Sequence, residues 1–276
     1  MDPAAKSEVV TAYLDLLKRA ILNEIHEDHE YLRKPPEARR FLAPARPADE
    51  LRIAPRRIDP AARDAGAVWP PSAMAHSMIG RRRLDNIEHC IETVVRDRVP
   101  GDVIETGVWR GGATIFMRGC LLALGDADRT VWVADSFAGL PVPDPAHAAD
   151  AGDVHHTIAE LAVSLEQVQS NFGRYGLLDD RVRFLKGWFK DTLPAAPIRE
   201  LAVMRLDGDM YGSTIEALQA LYPKLSPGGF AIIDDYCIAS CRQAVADFRA
   251  ANGITEAIVD IDRTGVFWRK NRSGPM

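Results

Sequence analysis

Four aspartates fall in two short clusters. Asp207 and Asp209 lie in Leu206-Asp207-Gly208-Asp209-Met210-Tyr211, and Asp234 and Asp235 lie in Ile233-Asp234-Asp235-Tyr236. Each cluster closes an apolar run, 201–206 or 230–233, with the length and composition of a buried strand. Consecutive strands of a doubly wound sheet are commonly neighbours, about 4.8 Å apart, so the four carboxylates are expected to converge on one small volume. Like charges at that spacing in a low dielectric repel strongly. Either some take up protons or a cation binds among them. Helix capping would account for one or two of the acids, not four at adjacent strand ends. Hard oxygen ligands select magnesium, calcium or manganese over zinc, and magnesium leaves positions for water or substrate oxygens.

A second group of residues has the character of a cofactor loop. Glu105-Thr106-Gly107-Val108-Trp109-Arg110-Gly111-Gly112 follows the apolar run 102–106, at the point where an open parallel sheet binds ligands. Asp135 closes the next run, 130–134, where an acid can accept hydrogen bonds from ribose hydroxyls or cap a helix. Gly187-Trp188-Phe189 closes a third run, 182–186, and its aromatics can flank an adenine ring or simply pack in the core. The loop is not GxGxxG and carries no Walker lysine, which favours a cofactor without a pyrophosphate. S-adenosylmethionine meets that condition better than NAD.

These loops need a scaffold, and the rest of the chain supplies one. Helices are expected over about 84–98, 112–124, 160–175, 213–222 and 240–251. Strands fall between them, and a final pair over about 257–262 and 265–269 forms a hairpin. The alternation predicts an α/β, Rossmann-like, mostly parallel sheet with helices on both faces. Residues 77–276 make this domain and 1–76 an N-terminal arm. The arm holds an amphipathic helix over 8–30, with Val10, Leu14, Leu17, Ile21 and Ile25 in one stripe, and a proline-rich connection over 35–72. The stripe and the arm point to a homo-oligomer, dimer or larger. Residues 141–160, rich in proline and aspartate, are expected to be a lid over the site or a simple surface loop. His155, His156, His26 and His29 read as surface residues rather than catalysts or ligands, and Arg81–Arg83 as a solvated helix start or a contact near the cofactor carboxylate.

Bulk properties exclude several classes. The chain has 276 residues and a formal net charge of −5, which argues against a nucleic-acid partner. No apolar run approaches the roughly 20 residues that span a bilayer, and the N-terminus lacks a signal-peptide core, so a cytoplasmic protein is expected. The four cysteines, Cys90, Cys120, Cys237 and Cys241, form no CxxC pair and read as reduced thiols.

As a set, the motifs resemble the macrocin O-methyltransferase family, which also includes the noviose 4-O-methyltransferase of novobiocin biosynthesis. The resemblance is carried by Ser77-Met78-Ile79-Gly80 with Arg83-Leu84-Asp85-Asn86, Val103 through Gly112, Ala134 through Pro141, Gly187 through Pro194, Arg205 through Tyr211, and Tyr222 through Gly229 running into Asp234-Asp235-Tyr236. It covers about 75–270 and is weaker before 75 and over 142–160. It implies a class I methyltransferase of seven strands with the last antiparallel, using S-adenosylmethionine and Mg2+ on a sugar hydroxyl of a glycoside, in the setting of antibiotic biosynthesis. It implies Asp207, Asp234 and Asp235 as metal ligands and Asp209 as general base. It also implies cofactor contacts from Met78, Glu105, Thr106, Gly107, Arg110, Asp135, Ser136, Gly187, Trp188, Phe189 and Asp207.

An NAD-dependent sugar oxidoreductase is the competing enzyme class. It would need a GxGxxG turn and a Tyr-x-x-x-Lys pair, and neither Tyr211 nor Tyr236 has a lysine four residues on. A non-catalytic cofactor-binding protein is the other alternative. A crowded acidic set is costly to keep without use.

Overall fold

The structure is a computed structural model and describes residues 7–25, 31–32, 54–55 and 74–271. In chain order its main elements are helix α1 (Glu8–Ile21), α2 (Arg81–Arg96), strand β1 (Asp102–Thr106), α3 (Gly112–Ala123), β2 (Val131–Asp135), α4 (Leu165–Arg174) and β3 (Val182–Lys186). They continue with α5 (Phe189–Thr192), β4 (Leu201–Leu206), α6 (Tyr211–Leu221), β5 (Leu225–Ile233), α7 (Ala239–Ala251), β6 (Val259–Asp260) and β7 (Val266–Arg269). Seven strands form one sheet in the order β3-β2-β1-β4-β5-β7-β6. β1 to β5 run parallel, and β7 runs antiparallel to both its neighbours, so the expected terminal hairpin is present.

Alternation along the strands divides the interior in two, because successive side chains face opposite sides of a sheet. Val103, Val131, Val133 and Val203 point to the side covered by α1 to α4. Ile104, Trp132, Met204 and Ile233 point to the side covered by α6 and α7. The helices supply matching stripes: α2 buries Leu84, Ile87, Ile91 and Val94 at steps of three and four.

Register then sets the functional edge. Thr106 pairs with Ala134 on one side and with Leu206 on the other, and Leu206 pairs with Ile233. The ladder runs one residue further. The amides of Gly107, Asp207 and Asp234 donate to the carbonyls of Ala134, Thr106 and Leu206, each at 2.9 Å. Residues 107, 135, 207 and 234 therefore leave the sheet at one level. The chain turns outward in opposite directions from β1 and β4, which opens a crevice between them.

Three expectations change. The first helix ends at Ile21, so Ile25 lies beyond it and is exposed, while Leu14, Leu17 and Ile21 pack into the protein's own core. The helix placed at 160–175 starts only at Leu165, after three short 3-10 turns over 148–161. The start of α2 is not simply solvated: Arg83 is buried, although Arg82 is exposed. Most of the proline-rich stretch, with His26 and His29, lies outside the described residues; within the arm, Tyr31–Leu32 pairs antiparallel with Ala54–Pro55. Among the described residues no helix is long and apolar enough to cross a membrane.

Gly107 shows how tight the edge is. Its φ is +78°, and a Cβ there would lie 1.7 Å from the Asp207 carbonyl oxygen. Only glycine fits where these two backbones meet. Gly107→Ala is expected to destabilise the protein by at least about 3 kcal/mol, measured by urea unfolding, or to prevent soluble expression. A variant with an unchanged unfolding midpoint would contradict the register.

Candidate active site

The crevice opens into a cavity of about 420 Å³. One wall comes from the ends of β1, β2 and β3, through Gly107, Trp109, Asp135, Ser136, Trp188 and Phe189. The floor comes from the turn after β4 and the first turns of α6, including Asp207, Asp209, Ser213 and Glu216. Pro141, Val142, Pro143 and Pro145 close the top.

Asp135 organises the wall at the ends of β1, β2 and β3. Its carboxylate accepts from the amides of Val108 and Phe137, both at 2.7 Å, which ties the glycine-rich loop to the end of β2. Burial raises its pKa, partly opposed by these amides. Met78, Gly107, Ser136, Gly187, Trp188, Phe189 and Asp207 also reach the cavity. Glu105, Thr106 and Arg110 stand behind its wall. Glu105 is bonded to Thr114 and Arg205, and Arg110 donates to the Ala75 carbonyl at 2.8 Å and lies over the Trp109 ring. The buried Thr106 hydroxyl has no hydrogen-bond partner among the described residues.

On the acidic side, carboxylate oxygens of Asp207, Asp234 and Asp235 lie within 4.8 Å of one another. Asp209 joins them through its backbone: its N–H donates to Asp235 Oδ2 at 3.0 Å. It does so at φ +56°, a left-handed conformation that few non-glycine residues other than aspartate and asparagine adopt.

Two buried arginines, unassigned from sequence, sit beneath this cluster. Arg205 Nη1 bonds Glu105 and, at 3.0 Å, Asp207, while its Nη2 bonds Asp234. Arg83 Nη1 bonds the other oxygen of Asp234, and its Nε bonds Asp262 at 2.8 Å. The site thus gathers six carboxylates (Glu105, Asp207, Asp209, Asp234, Asp235 and Asp262) around two guanidiniums. The formal surplus is four negative charges. The signal for Arg205 was available, because it is the one charged residue in the run Leu201–Leu206. Nothing local marked Arg83, whose partners lie 151 and 179 residues away.

The surplus shows in the titration of the acids. Burial, then Asp207 and Asp234, lifts Asp209 to about 7. Burial, then Asp209 and Asp234, lifts Asp235 to about 8. Asp207 is raised well above the usual range by burial, then by Asp235 and Asp234. Burial lifts Glu105 to about 7 despite Arg205.

His155 and His156 do not reach the cavity, and His155 pairs with Asp153 at 2.7 Å. His147, which the sequence did not single out, does line it. The Tyr211 hydroxyl turns outward to Asp247 at 3.1 Å.

The strand order, the single antiparallel strand and a cofactor crevice at the β1–β4 switch define a class I methyltransferase fold. The model of the family Macrocin-O-methyltransferase (TylF) matches residues 10–270, and the chain belongs to that family. It is 52% identical over 266 residues to the mycinamicin III 3''-O-methyltransferase of Micromonospora griseorubida, covering 95% of this chain and 97% of that one. It is 53% identical over 259 residues to the 8-demethyl-8-(2,3-dimethoxy-alpha-L-rhamnosyl)-tetracenomycin-C 4'-O-methyltransferase of Streptomyces olivaceus, covering 93% and 92%. The solved structure of the O-methyltransferase NovP superposes with a TM-score of 0.83 at 45% identity, over 95% of this chain and all of that one. The enzyme is an S-adenosylmethionine-dependent O-methyltransferase. The oxidoreductase and non-catalytic readings fall with that assignment.

The raised acids have a consequence for stability. In the unfolded chain carboxylates titrate near 4, so above that the folded state holds more protons on Asp209, Asp235 and Glu105 than the unfolded one. Their stabilising contribution is present at low pH and is lost as pH rises through 7 to 8. His76, lowered to about 4 by burial, acts in the opposite direction, but only below its unfolded value near 6.5. With EDTA present, the thermal midpoint is therefore expected to fall between about pH 6.5 and pH 9. A midpoint that rises over that interval would contradict the arrangement.

Proposed function

We propose that the enzyme is a magnesium-dependent sugar O-methyltransferase acting on a hydroxyl of a natural-product glycoside, with Asp209 as general base. The observation that carries this reading is the cluster of Asp207, Asp234 and Asp235, of which Asp207 lines the same cavity as Asp135 and Asp209. The donors are all carboxylates and the local charge surplus is four, which fits a hard divalent cation. The relative that acts on a rhamnosyl tetracenomycin supports a sugar acceptor.

Asp207, Asp234 and Asp235 would hold the metal. When bound, it would supply charge that lowers the pKa of a coordinated sugar hydroxyl. Arg205 and Arg83 hold the two oxygens of Asp234 from behind, so its carboxylate is oriented before any ligand arrives. Asp135 would hold the ribose hydroxyls of the methyl donor with lone pairs that its amide bonds leave over. Trp109, Trp188 and Phe189 would exclude water from the nucleoside. Asp209 faces the cavity two residues from Asp207, and so suits the removal of a proton from the attacking hydroxyl. The cavity would fix methyl donor and acceptor oxygen in line.

A panel of deoxysugar glycosides, followed by mass spectrometry for gain of one methyl group, tests the acceptor class. Excess EDTA is expected to abolish transfer and Mg2+ to restore it; transfer that survives chelation would remove the metal role. Asp209→Asn is expected to lower kcat by about 10²–10⁴ while S-adenosylmethionine affinity stays within a few-fold. Full turnover in that variant would remove Asp209 as the base.

A further inference from the structure

The segment that closes the cavity also touches the acidic side. It leaves the end of β2 at Ser136, whose hydroxyl donates to the Gly139 carbonyl at 2.7 Å. It lines the cavity over 139–145 and then reaches a 3-10 turn, Ala148–Asp150. Farther on, the Trp109 indole N–H donates to the Glu160 carbonyl at 2.8 Å, which fastens the segment to the glycine-rich loop.

Asp150 is the unusual residue in this stretch. It is 2% exposed, although residues 148, 149, 151 and 152 are exposed. Its Oδ1 accepts from the Tyr211 amide at 2.7 Å and its Oδ2 from the Gly212 amide at 2.9 Å. These are the first two amides of α6, a helix whose own N-cap residue, Met210, offers no side-chain acceptor. A carboxylate there satisfies two orphan donors and favours the positive end of the helix dipole. The fit is close: a Cβ on Gly212 would lie 2.9 Å from His147 Cδ2 and 3.3 Å from Asp150 Oδ2. The His147 ring also packs on Tyr211, with centroids 5.3 Å apart.

The first turn of α6 directly follows Asp207-Gly208-Asp209-Met210. We propose that Asp150 is a positioning residue: it caps α6 in trans and so latches the 139–161 segment, a lid over the methyl-donor cavity, to the turn that carries Asp207 and Asp209. Closure of the lid over the donor and ordering of the acidic turn are then one event. Each opening of the lid leaves the Tyr211 and Gly212 amides without acceptors and the turn loosely held, and a bound donor makes those openings rarer. The inference rests on the reading of this cavity as the methyl-donor site.

Hydrogen–deuterium exchange on the full-length protein tests it, with S-adenosylhomocysteine as the probe. In the wild type the probe is expected to slow exchange both in 139–161 and in 207–214. Asp150→Ala is expected to speed ligand-free exchange of 207–214 by about tenfold, the loss of a helix cap. It is also expected to abolish the probe's protection of 207–214 while calorimetric affinity for the probe changes less than about threefold. Asp150→Asn keeps one acceptor oxygen and the shape of the side chain. It is expected to give an intermediate effect, and it carries the test if the alanine variant does not fold. Protection of 207–214 that persists undiminished in both variants would overturn the latch. If the probe fails to bind the wild type, the donor-site reading falls. The ligand-free exchange of 207–214 then still tests the latch, and an unchanged rate in Asp150→Ala overturns it.

Discussion

Arg205 is fully buried in a strand whose other five residues are apolar, and its guanidinium touches Glu105, Asp207 and Asp234. A lone buried guanidinium would be expensive, and so would the buried carboxylates of Glu105 and Asp234. Together they tie β1, β4 and β5 at the level where those strands open into the cavity. The pairing is incomplete by design of the sequence: even with Arg83, two cations face six acids. What remains is a surplus of acids at the edge of the cavity. That surplus, with burial, explains the raised acids.

The sheet makes this possible through register. Gly107, Asp207 and Asp234 each continue the ladder by one hydrogen bond past the last paired residue. A slip of one residue would reverse every side chain between the two cores and separate the acids. The steric block at Gly107 and the left-handed backbone at Asp209 belong to the same edge. Local strain is accepted there because the packed sheet over-determines the positions around it.

Much of this was legible in the sequence because the relevant signals are local. Apolar runs of four to six residues ending in Asp135, Asp207 and Asp234 gave both strands and site, and the absence of GxGxxG narrowed the cofactor. Parallel neighbours then followed from ordinary topology. The features that escaped are long-range or depend on the third dimension. The Arg83 partners come from the far end of the chain, so a run of three arginines read as solvated when one of them is buried. The amphipathic helix α1 stops four residues before Ile25, where the periodicity still continued. Asp150 sits in a proline- and alanine-rich loop with no periodicity at all, and its role exists only because two α6 amides face it.

On the proposed function, the surplus charge at the ends of β4 and β5 holds a divalent cation. Titration calorimetry of Mg2+ into the chelator-stripped wild type, with S-adenosylhomocysteine present, tests this most directly. About one ion per chain is expected, with binding lost in Asp235→Asn, which alters a proposed ligand without touching the arginine pairs. Absence of Mg2+ binding to the wild type, or full binding by Asp235→Asn, would contradict it.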